Sequence, residues 1–239
     1  MKLGILATGI TPDELLGEYG SYADMFVQLF ETAGYQFDYV VYDVREDRFP
    51  AAADECDAWL ITGSKFGVYE DLPWMRRLKT LIRAIDGLQR PLVGICFGHQ
   101  IIAATLGGRV EKYRDGWGVG LHHYRLTQQH PELGIEGFTL NAMHQDQVVE
   151  KPPRAVTVAS SPFCPYAALS YDDRILSLQA HPEFSLPFEA RLVAARKGSV
   201  IPDEVADAGL ESLGAPGAVT DALTVARWMA ATLTRAHQG

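Results

Sequence analysis

A cysteine follows a short apolar run at a point where the chain is rich in glycine. Cys96 stands between Gly94 and Gly98 in the segment 91–100, PLVGICFGHQ. Glycines at these two positions allow a tight turn from a strand into a helix, which projects the cysteine from the carboxyl edge of a sheet. A helix N-terminus favours the thiolate, and its free N–H groups can stabilise an oxyanion. Cys96 is therefore a candidate nucleophile, with a buried structural cysteine as the alternative.

A histidine and a carboxylate follow another apolar run, in the segment 175–184, ILSLQAHPEF. We expect this strand to end in His181, with Glu183 two residues later. In extended chain, residues two apart point to the same side at a spacing of about 6.5–7 Å, and Pro182 stiffens the link between them. The carboxylate can then fix the tautomer of the ring and stabilise the imidazolium. Together with Cys96, these residues satisfy the pattern of an activated cysteine nucleophile.

The other histidines are weaker candidates for the base. His99 lies in the helix predicted after Cys96, where a packing or hydrogen-bonding role is expected. His144 and Asp146 share a predicted loop, either as a second dyad or, as we favour, as a simple polar turn. No His, Cys or Asp grouping has zinc-ligand spacing, so neither a metal nor another cofactor is expected. Four histidines are predicted to lie at the surface: His122, His123, His130 and His237.

Composition restricts the classes of partner. The 239 residues are 47% hydrophobic and 10% aromatic, enough for a substantial core, and the formal net charge is -9. This acidity disfavours nucleic acid or an anionic membrane as the main partner. No apolar run is long enough to cross a membrane, and the N-terminal run breaks at Gly9, too early for a signal peptide. Three cysteines without metal-ligand spacing fit free thiols in a reducing cytoplasm.

The elements of the first half alternate between apolar strands and amphipathic helices, which predicts a parallel sheet covered on both faces. Ser21 is a plausible N-cap, Gly34 a stop signal, and Pro73 suits the first turn of a helix. The predicted strands are Lys2–Ala7, Phe37–Tyr42, Ala58–Thr62 and Leu92–Ile95. The predicted helices are Ser21–Ala33, Leu72–Leu88 and Phe97–Leu106.

From Arg109 to Gln179 the pattern changes to short β-like stretches, which predicts an antiparallel extension of the same sheet. These stretches are Gly118–Leu126, Phe138–Ala142, Ala155–Ala159, Ala167–Ser170 and Ile175–Gln179. The tail from Pro187 reads as two or three helices, broken around Gly198–Pro202 and Gly214–Gly217. With no repeat or linker in view, we expect one domain over residues 1–239.

Four segments in this order resemble the class I (triad-type) glutamine amidotransferase domain. They are 60–70 (LITGSKFGVYE), 94–100 (GICFGHQ), 143–148 (MHQDQV) and 179–184 (QAHPEF). The closer likeness is to the glutaminase half of GMP synthase and to free-standing relatives, and it covers roughly residues 1–190. The resemblance implies an α/β, flavodoxin-like three-layer sandwich with a mostly parallel central sheet, an antiparallel extension and a helical C-terminal tail.

The resemblance also implies a role for each matching residue. Cys96 would attack the γ-amide carbon of glutamine, and the backbone N–H groups of Phe97 and Gly63 would hold the oxyanion. His181 would protonate the departing ammonia and then activate water against the γ-glutamyl thioester. Glu183 would orient His181.

Three further residues match positions near the substrate in that family. Gln100 corresponds to a residue that contacts the bound glutamine, with a polar residue on an exposed helix face as the alternative. His144 and Asp146 fall in a segment similar to the family's Ser-His-x-Asp-x-Val, close to the substrate. These three residues are therefore candidates for substrate binding.

The chain also departs from the GMP synthases. It carries Phe97 and His99 where they carry tyrosine and methionine, and Asn141-Ala-Met143 where they carry tryptophan, methionine and serine. It lacks the Ser-Gly-Gly-x-Asp-Ser loop of ATP pyrophosphatase chemistry. The tail after Ser199 lies outside the resemblance and is interpreted as a helical cap or a partner surface.

Three functions are compatible with these residues. The first is a glutaminase that feeds ammonia to a separate synthase, and the second is a stand-alone hydrolase or transferase of γ-glutamyl amides or peptides. The triad cannot separate these two, because both pass through the same acyl-enzyme. The third is a catalytically silent regulatory protein, against which the complete triad argues. Expected partners are glutamine or a γ-glutamyl compound, a synthase or acceptor protein, and a second copy of the chain in a homodimer.

Overall fold

The computed structural model describes residues 1–127 and 134–235, so the predictions for His130 and His237 lie outside the described residues. The strands are β1 Lys2–Ala7, β2 Asp38–Asp43, β3 Ala58–Ile61, β4 Leu92–Ile95, β5 Arg109–Lys112, β6 Gly118–Leu126, β7 Gly137–His144, β8 Asp146–Glu150, β9 Val156–Ser160, β10 Ala168–Tyr171 and β11 Ile175–Leu178. The helices are α1 Asp13–Tyr19, α2 Tyr22–Thr32, α3 Pro73–Gly87, α4 Phe97–Thr105, α5 Leu186–Arg196, α6 Asp203–Gly214 and α7 Ala222–Thr234.

Nine of the described strands form one mixed sheet in the order β2-β1-β3-β4-β11-β10-β9-β6-β7. The first five strands of this order are parallel to their neighbours, and β10, β9, β6 and β7 continue the sheet in antiparallel pairs. The predicted parallel core with an antiparallel extension is confirmed. Because β4 and β11 are adjacent and parallel, their carboxyl ends bring Cys96 and the segment before His181 to the same edge.

Helices cover both faces of the sheet. On one face α2 and α7 pack through residues such as Phe26, Phe30, Val225 and Met229, all fully buried. On the other face α3 and α4 pack through a second apolar cluster that includes Ile82. The result is the three-layer arrangement that the sequence predicts.

Local capping signals determine where two of the predicted helices begin. The Ser21 side chain accepts a hydrogen bond from the Asp24 backbone N–H, and the Asp24 carboxylate accepts one from the Ser21 N–H, so α2 begins with a capping box. Pro73 occupies the first turn of α3, as expected. Helix α1 was not predicted, because Pro12 and Gly17 interrupt its apolar pattern within only seven residues.

The predicted polar turn at residues 144–146 is wrong. His144 ends β7 and Asp146 begins β8, which pairs with β5 in a separate two-stranded ribbon. Val110 pairs with Val148 in that ribbon, and both side chains are buried against the α3–α4 face. Burial of this apolar pair outweighs the local turn signal.

The tail contributes to the core as well as to the surface. Three helices, α5 to α7, are present as predicted, and α7 packs against α2 and against strands β3, β4 and β11. Helix α7 thus completes one layer of the fold, where the sequence suggested a cap or a partner surface. Among the described residues no helix is long and apolar enough to span a bilayer.

Candidate active site

Cys96 occupies a strained turn between β4 and α4. Its backbone has φ 53° and ψ -103°, a conformation that side-chain-bearing residues rarely adopt. The turn is closely packed, because a Cβ at Gly98 would lie 2.4 Å from the Ile61 carbonyl oxygen and one at Gly94 would lie 2.7 Å from Gly98. Only glycine fits at these two positions, so the sequence motif has a steric cause. Its consequence is that the Cys96 side chain reaches the cleft at the N-terminus of α4.

His181 and Glu183 form a buried hydrogen-bonded pair. The distance from His181 Nδ1 to Glu183 Oε1 is 2.7 Å, and the two side chains are 4% and 0% exposed. The His181 ring stacks on Phe184 with centroids 4.0 Å apart. Strand β11 ends at Leu178 rather than at His181, so the predicted continuous strand is wrong here. Instead His181 forms an isolated antiparallel bridge to Asn141, which lies within β7.

Asn141 is a residue that sequence reasoning did not assign to the site. Its backbone carbonyl accepts a hydrogen bond from the His181 N–H at 2.9 Å. Its side-chain amide donates to the Phe184 carbonyl at 2.7 Å. These two contacts fix the segment that carries His181 and Glu183. The only available signal was a buried polar residue in a strand, at a position where the chain departs from GMP synthases.

The electrostatics of the pair favour an imidazolium. Burial by itself would lower the pKa of His181, but the Glu183 carboxylate and the neighbouring Cys96 sulfur raise this pKa well above its usual value. His181 therefore tends to hold its proton at neutral pH, next to a sulfur that gains from a positive neighbour.

The loop after β3 brings Gly63 to the same point. A Cβ at Gly63 would lie 2.9 Å from His181 Cε1 and 3.6 Å from Cys96 Cβ. The buried Thr8 hydroxyl donates to the Thr62 carbonyl at 2.7 Å. Because C=O and N–H of a trans peptide point in opposite directions, this bond turns the Gly63 N–H away from Thr8. Gly63 thus lies in the lining of the cleft, as an oxyanion donor requires.

Substitution of Gly63 tests this close approach. We expect Gly63→Ala to lower kcat/KM for a γ-glutamyl substrate about a hundredfold, because the new methyl group displaces the His181 ring. The fold should persist, as judged by the melting temperature. Gly87→Ala is the matched control, since nothing lies within 4 Å of a Cβ at Gly87 in α3. Full activity of Gly63→Ala would show that the ring position does not depend on this contact.

Gln100 and Asp146 join on one side of Cys96. Gln100 is 3% exposed and donates to the Asp146 backbone carbonyl at 2.8 Å and to Gln179 at 3.1 Å. The alternative of an exposed helix face for Gln100 is therefore wrong. The Tyr69 hydroxyl donates to the Asp146 carboxylate at 3.2 Å. The side chains of Gln100, Tyr69 and Asp146 line the cleft, together with that of His144. Burial lowers the pKa of His144 to about 3, so its ring is neutral.

Packing explains the positions of two other histidines, His99 and His122. His99 is fully buried, with its Nδ1 2.8 Å from the Ser177 hydroxyl, and burial lowers its pKa to about 3. His123 is exposed as predicted, whereas His122 is only partly exposed. The His122 ring packs edge-on against Phe163 at 5.5 Å, which covers it.

A second carboxyl group lies behind the pair. Glu189 on α5 is 0% exposed, and neither of its oxygens has a hydrogen-bond partner of regular geometry among the described residues. Burial raises the pKa of Glu189 to about 8, and this outweighs the opposing effects of His181 and of the Gly120 backbone. Nothing in the sequence distinguishes Glu189 from an exposed helical glutamate.

The raised pKa of Glu189 predicts that the free energy of unfolding falls as the pH rises. Its folded pKa lies above its ordinary 4.5, so the folded state holds a proton that the unfolded state releases between about pH 4.5 and 8. The free energy of unfolding should fall over this window by up to about 1.4 kcal/mol per pH unit. Below pH 6.5, the ordinary pKa of His181, Glu189→Gln should remove that slope in urea titrations, whereas exposed Glu211→Gln should keep it. An unchanged slope in Glu189→Gln would contradict the assignment.

The candidate site opens into a cleft of about 850 Å³. Cys96, His181 and Gly63 line this cleft, together with residues of α1 such as Glu14 and of α5 such as Leu192. Among the described residues, no cluster of three or more His, Cys, Asp or Glu side chains could hold a metal ion. The arrangement provides a nucleophile, a base with its orienting carboxylate, and an N–H donor, which together are the parts needed for acyl transfer.

The family model of glutamine amidotransferase class-I matches residues 15–195 of the chain. Gamma-glutamyl peptidase 2 of Arabidopsis thaliana is 32% identical over 184 residues, which cover 73% of each protein. GMP synthase [glutamine-hydrolyzing] of Burkholderia cenocepacia is 33% identical over 151 residues, 58% of this chain but 27% of the synthase. In fold, the chain is similar to a glutamine amidotransferase of Thermotoga maritima, with a TM-score of 0.74 and 19% identity over 99% of both chains.

Proposed function

The chain belongs to the class-I glutamine amidotransferase family, and on this basis we propose that it hydrolyses γ-glutamyl amide bonds through a thioester on Cys96. The observation that supports this most directly is the convergence of three elements on one point. Cys96 stands on its strained turn, the His181–Glu183 pair is joined at 2.7 Å, and Gly63 faces both.

Acylation is the first half of the reaction. The Cys96 thiolate attacks the γ-carbonyl carbon of the substrate, and the negative charge on the carbonyl oxygen is held by the N–H groups of Phe97 and Gly63. The carbon–nitrogen bond then breaks, and His181 gives its proton to the departing nitrogen. Glu183 keeps the ring oriented and stabilises the imidazolium before transfer.

Deacylation restores the enzyme. Water enters where the amine left, and neutral His181 takes a proton from it as it attacks the thioester carbon. The carbon–sulfur bond breaks, glutamate departs, and the Cys96 thiolate faces the newly formed imidazolium again. Every proton that His181 gives in the first half is recovered in the second, so no cofactor takes part in this cycle.

The glutamyl group is proposed to bind in the arm of the cleft that contains Gln100, Asp146 and Tyr69. The Tyr69 hydroxyl donates to the Asp146 carboxylate, and the Gln100 amide donates to the Asp146 backbone carbonyl, so an amide, a carboxylate and a hydroxyl lie close together here. Such a set can bind the α-amino and α-carboxylate groups of a glutamyl moiety, which present one positive and one negative charge.

The size of the cleft favours γ-glutamyl compounds larger than glutamine. A volume of about 850 Å³ is at the upper end of the range for drug-sized ligands. The relatives from Arabidopsis thaliana are named as gamma-glutamyl peptidases, which accords with a peptide leaving group. A second candidate, supported by the likeness to GMP synthase, is a glutaminase that supplies ammonia to a separate synthase.

A comparison of substrates with the isolated protein tests the proposal. We expect release of glutamate from γ-glutamyl dipeptides without any partner, and slower release from glutamine. Negligible turnover of dipeptides, with glutamine turnover that requires another polypeptide, would favour the second candidate instead. Absence of a γ-glutamyl adduct on Cys96 by mass spectrometry, under conditions of active turnover, would overturn the thioester mechanism.

A further inference from the structure

Besides Cys96 and His181, the cleft lining includes two groups of residues, which we call its two arms. One arm contains Gln100 and Asp146, linked by a hydrogen bond. The other contains Tyr22, Phe184 and Leu192, which pack together in one apolar cluster with Phe188. Phe184 also stacks on the His181 ring, so this second arm begins directly beside the group that protonates the leaving nitrogen. The leaving group must depart on that side.

Helix α5 carries the second arm away from the centre. Phe188, Leu192 and Arg196 are spaced by four residues and therefore share one face of the helix. At 1.5 Å per residue, Arg196 lies about 6 Å beyond Leu192 along the axis. Both Leu192 and Arg196 line the cleft, as do Trp117 and the 52% exposed Val200. This arm therefore offers the apolar side chains of Leu192, Trp117 and Val200 together with one cation, Arg196.

Arg196 is partly buried, and no ion pair is present for it among the described residues. Other basic side chains of α5 and of the turn after it are paired: Arg191 contacts Glu18, and Lys197 contacts Asp207. Arg45 at the opposite wall is paired with Asp43 at 2.6 Å. A partly buried cation without an anion carries an uncompensated desolvation cost, which a bound anion would offset.

The backbone holds Arg196 at this position. Its carbonyl accepts hydrogen bonds from the N–H groups of Val200 at 3.0 Å and Ile201 at 3.1 Å, so the chain folds back tightly after α5. This turn brings Val200 to the cleft beside the guanidinium. Ile201 is 1% exposed and anchors the turn in the core.

Tyr22 links the catalytic centre to Arg196. Burial raises the pKa of Tyr22, nearby Glu183 and Cys96 raise it further, and Arg196 lowers it. The Tyr22 hydroxyl is therefore close enough to feel charges from both ends of the arm. A ligand that extends from Cys96 past Tyr22 reaches the guanidinium.

From this geometry we propose that the second arm is a leaving-group subsite in which Arg196 binds the free carboxylate of a γ-glutamyl peptide. Trp117, Leu192 and Val200 accept an apolar side chain of the leaving group. Arg196 and Val200 lie beyond residue 195, where the family match ends, so membership of the family does not by itself assign them a role. The inference rests on the proposed function, since it concerns which amine leaves.

Matched pairs of substrates test this subsite. γ-Glutamyl-leucine and γ-glutamyl-leucyl-glycine are each compared with the C-terminal amide of the same peptide, so that only the carboxylate differs. We expect the free acid of at least one peptide to have a kcat/KM about 10- to 100-fold above that of its amide. Arg196→Gln should reduce this acid-to-amide ratio to near one, and Arg196→Glu should invert it.

The ratio separates the subsite from the chemistry, because a general loss of activity affects acid and amide equally. Arg191→Gln, on the same helix but outside the cleft lining, is the matched control and should keep the wild-type ratio. A ratio near one in the wild-type protein for both peptides, or a ratio unchanged by Arg196→Gln, would overturn the subsite. Failure of the wild-type protein to hydrolyse any of the four substrates would instead overturn the proposed function.

Discussion

Cys96→Ala and Cys96→Gly should both abolish hydrolysis, yet the two variants should differ in stability. Loss of the sulfur removes the acyl-enzyme route, so turnover should fall about a thousandfold or more. The backbone at residue 96 has φ 53° and ψ -103°, where glycine is at ease and alanine is strained. The free energy of unfolding of Cys96→Gly should therefore be about 1 kcal/mol higher than that of Cys96→Ala.

The comparison needs both readouts. Glutamate release measures the chemistry, and urea unfolding of the two variants measures the strain. Cys56→Ala and Cys164→Ala provide controls, because these two cysteines are also buried but do not line the cleft. Undiminished turnover in Cys96→Ala would exclude the thioester. An alanine variant as stable as the glycine variant would show that the turn relaxes without cost.

Glu183→Gln should produce the second large effect, on the order of a thousandfold in kcat. The amide keeps the shape of the carboxylate but loses its charge. With that charge gone, the pKa of His181 should fall, because burial lowers it and only the Cys96 sulfur still opposes the effect of burial. Because the working form pairs a protonated ring with a thiolate, the alkaline limb of the pH–activity profile should move to lower pH.

Two measurements check this variant. NMR titration of the His181 Cε1 proton reports the pKa directly, and the pH dependence of kcat/KM reports its consequence. Glu204→Gln, an exposed change in the first turn of α6, is the matched control and should leave both unchanged. A Glu183→Gln variant with normal kcat, or with an unshifted His181 titration, would contradict the orienting role.

The elements that carry Cys96 were predictable because local patterns and packing agree there. Apolar Leu92–Ile95, the flanking glycines and the helix after them all indicate one strand–turn–helix unit, and the predicted bounds of this strand and this helix differ from the observed ones by at most one residue. The Ser21 capping box and Pro73 act through bonds within one turn, which the sequence displays directly.

The rest depends on contacts between distant residues. The bridge from Asn141 to His181 joins β7, at one end of the sheet order, to the segment after β11, the central strand, and no local pattern predicts it. The pairing of β5 with β8 was missed because each strand is short and half-exposed. Glu189 and Arg196 have ordinary sequence contexts on a helix, and only the folded chain shows that one is buried and the other faces the cleft.

Helix α7 sets a limit on how this protein can be divided. Its apolar side chains Val225, Met229 and Leu233 are fully buried between α2 and the strands that lead to Cys96. A fragment cut at residue 195, where the family match ends, would expose to water one face of β4, the strand that leads to Cys96. The part of the chain that carries the candidate site therefore cannot be transferred to another protein without the tail. A fusion or a shortened protein needs the residues up to 234 to keep its core closed.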